Sequence, residues 1–117
     1  MVNPLIANKF GDVIMHLSYM DTREKQMRGL QHVASLDGDK GLLFPTHGGA
    51  GYHMRNVRFS IDICYVRDDN IITAIDTVRP EVDTSVAPPE SSWAVEANAG
   101  WFNSNGYVVG DEIDLRV

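Results

Sequence analysis

The chain has 117 residues, with ten lysines and arginines against sixteen aspartates and glutamates, a formal charge of −6. That length suits a single domain over 1–117. The acidic balance sets aside a dedicated nucleic-acid binder, which needs a basic stripe to meet phosphates, and no apolar run is long enough to span a membrane.

With 44% hydrophobic and 22% charged residues, the composition is that of a soluble globular domain rather than a disordered one. Residues 1–11 show little periodicity. They carry one lysine and no apolar core of a signal peptide, so the cytoplasm of a producing or host cell is the expected location. The strand expected at Asp12 to Tyr19 turns Val13, Met15, Leu17 and Tyr19 to one face and His16 to the other. A helix is expected over 22–31, capped by Asp21, with Glu24 completing a capping box and pairing with Arg28. Met27 and Leu30 give it an apolar edge, and Gly29 marks its end or a close approach. Asp37 to Lys40 reads as a turn, since most ligands of a calcium loop are missing. Gly41 to Phe44 reads as a short buried strand stopped by Pro45.

His47-Gly48-Gly49-Ala50-Gly51 lets the backbone turn or come close to another segment. It lacks the ending of a phosphate-binding loop. Tyr52 to Val66 is the longest strand-like run. Extended throughout, it aligns Met54, Asn56, Arg58, Ser60, Asp62 and Cys64 in one polar row, with His53, Arg55, Val57, Phe59, Ile61, Ile63 and Tyr65 opposite. Cys64, the only cysteine, allows no internal disulfide and reads as a buried hydrophobe. Arg67 to Asn70 is a hairpin turn returning into a β-branched strand over 71–78. Residues 79–91 form a long connection with three prolines. A strand follows over 92–97, with Trp93, Val95 and Ala97 on one side and Ala94 and Glu96 on the other. Ala99 to Gly106 is a helical turn that places Trp101 and Phe102 in the core, and Ile113 to Val117 is the last strand. The sum is an α+β fold: a curled, mostly antiparallel sheet or partly closed β-barrel, with one main helix and one short helical turn.

Several motifs then fall into a known order. They are Thr22 to Leu30 with its Arg28-Gly29-Leu30, then Gly41 to Phe44, Met54-Arg55-Asn56-Val57 and Ser60-Ile61-Asp62-Ile63, and last Ala99-Gly100-Trp101 and Val109-Gly110-Asp111. Together they resemble the domain of unknown function 192 family over residues 13–116. The resemblance implies a small fold rich in antiparallel strands and no assigned activity. Many such domains sit behind a signal peptide, which this chain lacks, so a viral or mobile-element source is one expectation. Ser60 replaces the usual proline, and His53 replaces an aromatic residue before the Met-Arg-Asn motif.

The residues singled out as ligand-binding are His53, Arg55, Asn56, Arg58 and Asp62. Asn56 offers a donor and an acceptor, the arginines suit an anion, and Asp62 orients them. The same residues have a structural reading, with Asn56 fixing a turn and Asp62 satisfying backbone N–H groups. No cofactor motif, metal-ligand spacing or nucleophile elbow is present. The leading expectation is a non-catalytic binding module for a small polar or anionic ligand, rimmed by the Gly48 to Gly51 and Pro88-Pro89 loops. The alternatives are a protein-interaction or oligomerisation domain using Trp101, and a small hydrolase or lyase using His53 with Asp62 or Asp76.

Overall fold

Short apolar runs punctuated by glycine, proline and Asp/Asn turns produce many short strands and little helix. The computed structural model describes residues 3–117. Its elements are β1 (Leu5–Ala7), β2 (Val13–Tyr19), α1 (Arg23–Arg28), β3 (Lys40–Pro45), β4 (Gly51–His53), β5 (Ile61–Val66), β6 (Ile72–Val78), β7 (Thr84–Val86), β8 (Trp93–Asn98), α2 (Trp101–Ser104) and β9 (Asp114–Arg116). Seven strands form one sheet in the order β6-β5-β8-β3-β2-β1-β9, and β4 pairs with β7 in a second. All pairings are antiparallel except that of β2 with β3. Parallel neighbours need a crossover, and α1 with its flanking loops supplies it.

The large sheet curls into a half-barrel. An isolated bridge joins Ile71 to Glu112, bringing the start of β6 to the segment that feeds β9. The Ile72 N–H donates to the Asp111 carbonyl at 2.9 Å, and the Ile113 N–H donates to the Asn70 carbonyl at 2.9 Å. These bonds fasten opposite edges of the sheet at one end.

Strand alternation sends side chains to two cores. One gathers Ile6, Met15, Leu43, Cys64, Val66, Ile72, Val95, Ala97, Phe102 and Ile113 from around the curled sheet. The other lies on the opposite face, where Leu42, Phe44, Ile61, Ile63, Tyr65 and Ala94 meet Leu30, Met54, Val57 and Ala87. All six residues of β5 are buried because both of its faces are covered. In β8, Val95 and Ala97 serve the first core and Ala94 the second, the alternation expected from sequence. Gly41 is required by packing: a Cβ there would stand 2.8 Å from the Glu96 carbonyl oxygen and from the Met15 sulfur.

The run from Tyr52 to Val66 is not one strand. β4 ends at His53 and β5 begins at Ile61. Between them the chain turns, with the Val57 N–H bonded to the Met54 carbonyl at 3.0 Å and Asn56 at φ 61°. Asparagine tolerates that left-handed conformation better than most residues. The polar row expected along an unbroken strand is therefore absent.

The first helix is also shorter than the expected 22–31. Thr22, not Asp21, caps it, accepting from the Lys25 N–H at 3.1 Å. Asp21 instead pairs with Lys25 at 2.9 Å, and among the described residues Glu24 and Arg28 form no ion pair. Gly29 ends the helix at φ 48°. Two three-residue strands, β1 and β7, arise where no strand was expected. Each is too short to show a period, and each exists because a neighbour offers an edge. The last strand is Asp114–Arg116, shorter than the expected Ile113 to Val117.

Candidate functional site

A cleft of about 410 Å³ opens between α1 and the outer face of the large sheet. Its floor is Glu96 of β8, with Phe44 of β3 and Ile61 of β5. One wall is Tyr52 and His53 of β4, another is Met27 and Leu30, and Arg23, Arg28 and His47 line it as well. The two-stranded sheet holds the wall in place. Gly48 packs so tightly on the Pro88-Pro89 loop that a Cβ would lie 2.9 Å from the Pro89 Cα. The Gly49 N–H bonds the Ala87 carbonyl at 2.9 Å, and the Ala87 N–H bonds the Ala50 carbonyl at 2.8 Å.

Glu96 is where alternation puts a carboxylate into an apolar face. Its cross-strand neighbours are Leu42 on β3 and Ile63 on β5. The residue is 7% exposed. No cation or hydrogen bond offsets its burial, and burial alone pushes the carboxyl up to about 7. A buried carboxyl is ordinarily hydrogen-bonded by its own fold; this one faces the cleft instead.

Aromatic rings surround that floor. Tyr52 meets Phe44 edge-on at 5.6 Å between centroids and tilts against Tyr65 at 6.0 Å. The Tyr52 hydroxyl donates to Thr46 Oγ1 at 2.7 Å. Burial, with Glu96 contributing, raises its ionisation above the usual phenol range. Tyr65 and Ser85 share a hydrogen bond of 2.6 Å, and the Ser85 hydroxyl donates to Asp76 at 2.5 Å, a buried chain that locks β7 over β5 and β6.

The residues picked out from sequence are dispersed. His53 lines the cleft, and its Nδ1 accepts from the Arg55 N–H at 3.2 Å. Arg55 itself is exposed in the turn. Asn56 and Arg58 line a separate cleft with His32, Pro80 and Glu81. The Asn56 carbonyl accepts from the His32 N–H at 2.9 Å, and its amide donates to Gln31 Oε1 at 3.2 Å. Asp62 points to the opposite face of β5 from Ile61 and Ile63. Its carboxylate accepts from Thr77 Oγ1 at 2.7 Å and from the Gly100 N–H at 3.0 Å. Among the described residues no hydrogen bond joins His53 to Asp62, whose carboxylate is taken by Thr77 and Gly100. Cys64 is fully buried, and burial raises its thiol far above the ordinary range.

Asp62 thus anchors the turn that launches α2, where Gly100 adopts φ 86°. Asp62→Ala is expected to lower stability by about 1–3 kcal/mol, because two donors are left without their acceptor. The check is a urea titration beside the ligand-binding assay below: stability falls while the cleft is unaffected.

The family model for DUF192, described as "Uncharacterized ACR", matches residues 6–115. The chain belongs to the DUF192 family. Its fold is shared by a Sinorhizobium meliloti 1021 protein, described as a "putative transcription regulator", at a TM-score of 0.82 and 18% identity. That match covers 97% of this chain and 92% of the other. It is likewise shared by a protein of unknown function from Novosphingobium aromaticivorans DSM 12444, at a TM-score of 0.80 and 23% identity, covering 96% and 83%. At such identities the likeness is one of fold. No curated protein matches the chain.

Proposed function

We propose that this DUF192 domain is a binding module for a small polar ligand seated over Glu96. The observation that carries the reading is a carboxyl group 7% exposed, without a partner in the protein, at the floor of a cleft large enough for a small metabolite. Among the described residues no fully buried side-chain oxygen lacks a hydrogen bond, so the Glu96 oxygens reach the open cleft, and a ligand there supplies the hydrogen bonds the protein does not. Tyr52, whose ionisation Glu96 raises, and His47 and His53 are polar groups that line the same cleft. Arg55, Asn56 and Arg58 belong to a different surface and would not touch the same ligand.

A second reading has its own support. A carboxyl that titrates near neutral pH suits general acid–base catalysis, and Glu96 fills that role better than His53 with Asp62. A protein contact through Trp101 has less behind it, because that ring is spent on Phe102 and on a stack with Tyr107 at 6.2 Å. A regulator that grips nucleic acid through phosphates also fits poorly with a chain of charge −6.

Native mass spectrometry of gently purified protein tests the binding module. A discrete extra mass on the wild type, lost in Glu96→Gln, is the expected result. An extra mass retained unchanged in Glu96→Gln, or none on either protein, overturns it.

A further inference from the structure

The charges around the cleft are separated. The floor holds one carboxyl among Phe44, Tyr52 and Ile61, and α1 brings the exposed Arg23 and Arg28 to the lining of the same cavity. Among the described residues neither arginine is in an ion pair. This positive wall belongs to a chain whose formal charge is −6, so it is local rather than part of a general basic surface.

Resting on the binding-module reading, we propose that the ligand is a zwitterion whose ammonium group meets Glu96 and whose carboxylate or phosphate meets Arg23 and Arg28. An ionised carboxylate only accepts hydrogen bonds, and in an apolar floor it needs a cation as well as donors. The edge-related rings of Phe44 and Tyr52 add faces that attract an organic cation. The guanidinium groups of Arg23 and Arg28 suit a planar carboxylate or a phosphate. No group of three His, Cys, Asp or Glu side chains capable of holding a metal ion occurs among the described residues, and a lone carboxylate is a better seat for an ammonium group than for a divalent ion. A cavity of about 410 Å³ accepts an amino acid or an aminoalkyl phosphate.

Burial of Glu96 holds its proton on to about pH 7, so the ammonium group binds by displacing that proton. Affinity for the cationic end falls as the pH drops below about 7. Other titratable groups on the surrounding elements act differently. Tyr52 of β4 and Tyr65 of β5 stay neutral, raised by burial, and Arg23 and Arg28 of α1 complete the lining with His47 and His53. Glu96→Gln isolates the contribution of this one carboxyl.

Isothermal titration calorimetry with defined probes tests the proposal. The probes are ω-amino acids from β-alanine to ε-aminocaproate, phosphoethanolamine, and alkylamines and alkylcarboxylates of matching length. At least one zwitterion is expected to bind about tenfold or more tightly than either of its halves. Glu96→Gln should remove that advantage and abolish the loss of affinity below pH 7, and the Arg23→Gln, Arg28→Gln double variant should reduce the zwitterion to the level of the amine. Both variants are checked for folding by circular dichroism. An alkylcarboxylate or an uncharged amide that binds as tightly, still dependent on Glu96, overturns the charge assignment and leaves the binding module standing. No binding by any probe at millimolar concentration overturns the charge assignment as well, and the native mass experiment then decides the module separately.

Discussion

Phe102→Ala is expected to cost about 3–5 kcal/mol of stability, the range for deleting a buried phenylalanine and leaving its cavity. Phe102 has no exposed surface and reaches the inner core from a helix of four residues. So short a helix has almost no stability of its own. It stays docked through Phe102, through the Asp62 bond to the Gly100 N–H, and through the packing of Trp101 on Tyr107. Removing the ring takes away contact with the core and the reason for the helix to stay in place. A domain of about a hundred residues loses roughly 4–8 °C of Tm per kcal/mol, so a fall of more than about 10 °C is expected. Guanidinium titrations with unchanged slope would assign the whole effect to stability. A loss below about 1 kcal/mol would show that the core closes without α2.

The second large effect is on pH. Glu96 titrates near 7 in the fold and near 4.5 when unperturbed. The folded chain therefore holds a proton that the unfolded chain has released across that window. Stability then falls as the pH rises from about 4.5 to 7 and is level in this respect above it. At 1.36 kcal/mol for each unit, the loss is on the order of 3 kcal/mol. Glu96→Gln keeps the shape of the protonated acid and cannot ionise, so it is expected to flatten this part of the profile and to exceed the wild type in stability above pH 7. Urea midpoints of both proteins from pH 5 to 8 measure it. Parallel profiles would show that the carboxyl finds a compensating partner when ionised.

Much of the architecture was legible because both cores leave a period-two trace. β2, β6 and β8 alternate clearly or carry β-branched runs, and the glycine and aspartate turns between them are explicit. β1 and β7 were not legible, because three residues carry no period and their pairing is decided by a neighbouring edge. The break in the central run was missed for a related reason: Val57 and Phe59 are apolar at alternate positions, yet they reach the outer core from a turn that Asn56 makes possible. The site followed that error. An unbroken strand drew attention to Asn56, Arg58 and Asp62, while Glu96 passed as the polar face of an ordinary strand. Its signal was present, since Glu96 is a single charge between Val95 and Ala97 in a strand of small and apolar residues. Only its position between β3 and β5, with α1 above, shows that this face is covered too.

The pairing of β1 with β9 has a consequence for time rather than for energy. Leu5 sits opposite Arg116, so this edge of the barrel joins segments from nearly opposite ends of the sequence. Closing so long a loop costs entropy before any contact rewards it, and sheets dominated by distant pairings fold in milliseconds to seconds rather than microseconds. The hairpin of β5 and β6 needs only a four-residue turn and can form early. The β1–β9 seam then sets the pace of folding, and a circular permutant that links the two strands directly should fold faster than the natural order of the chain.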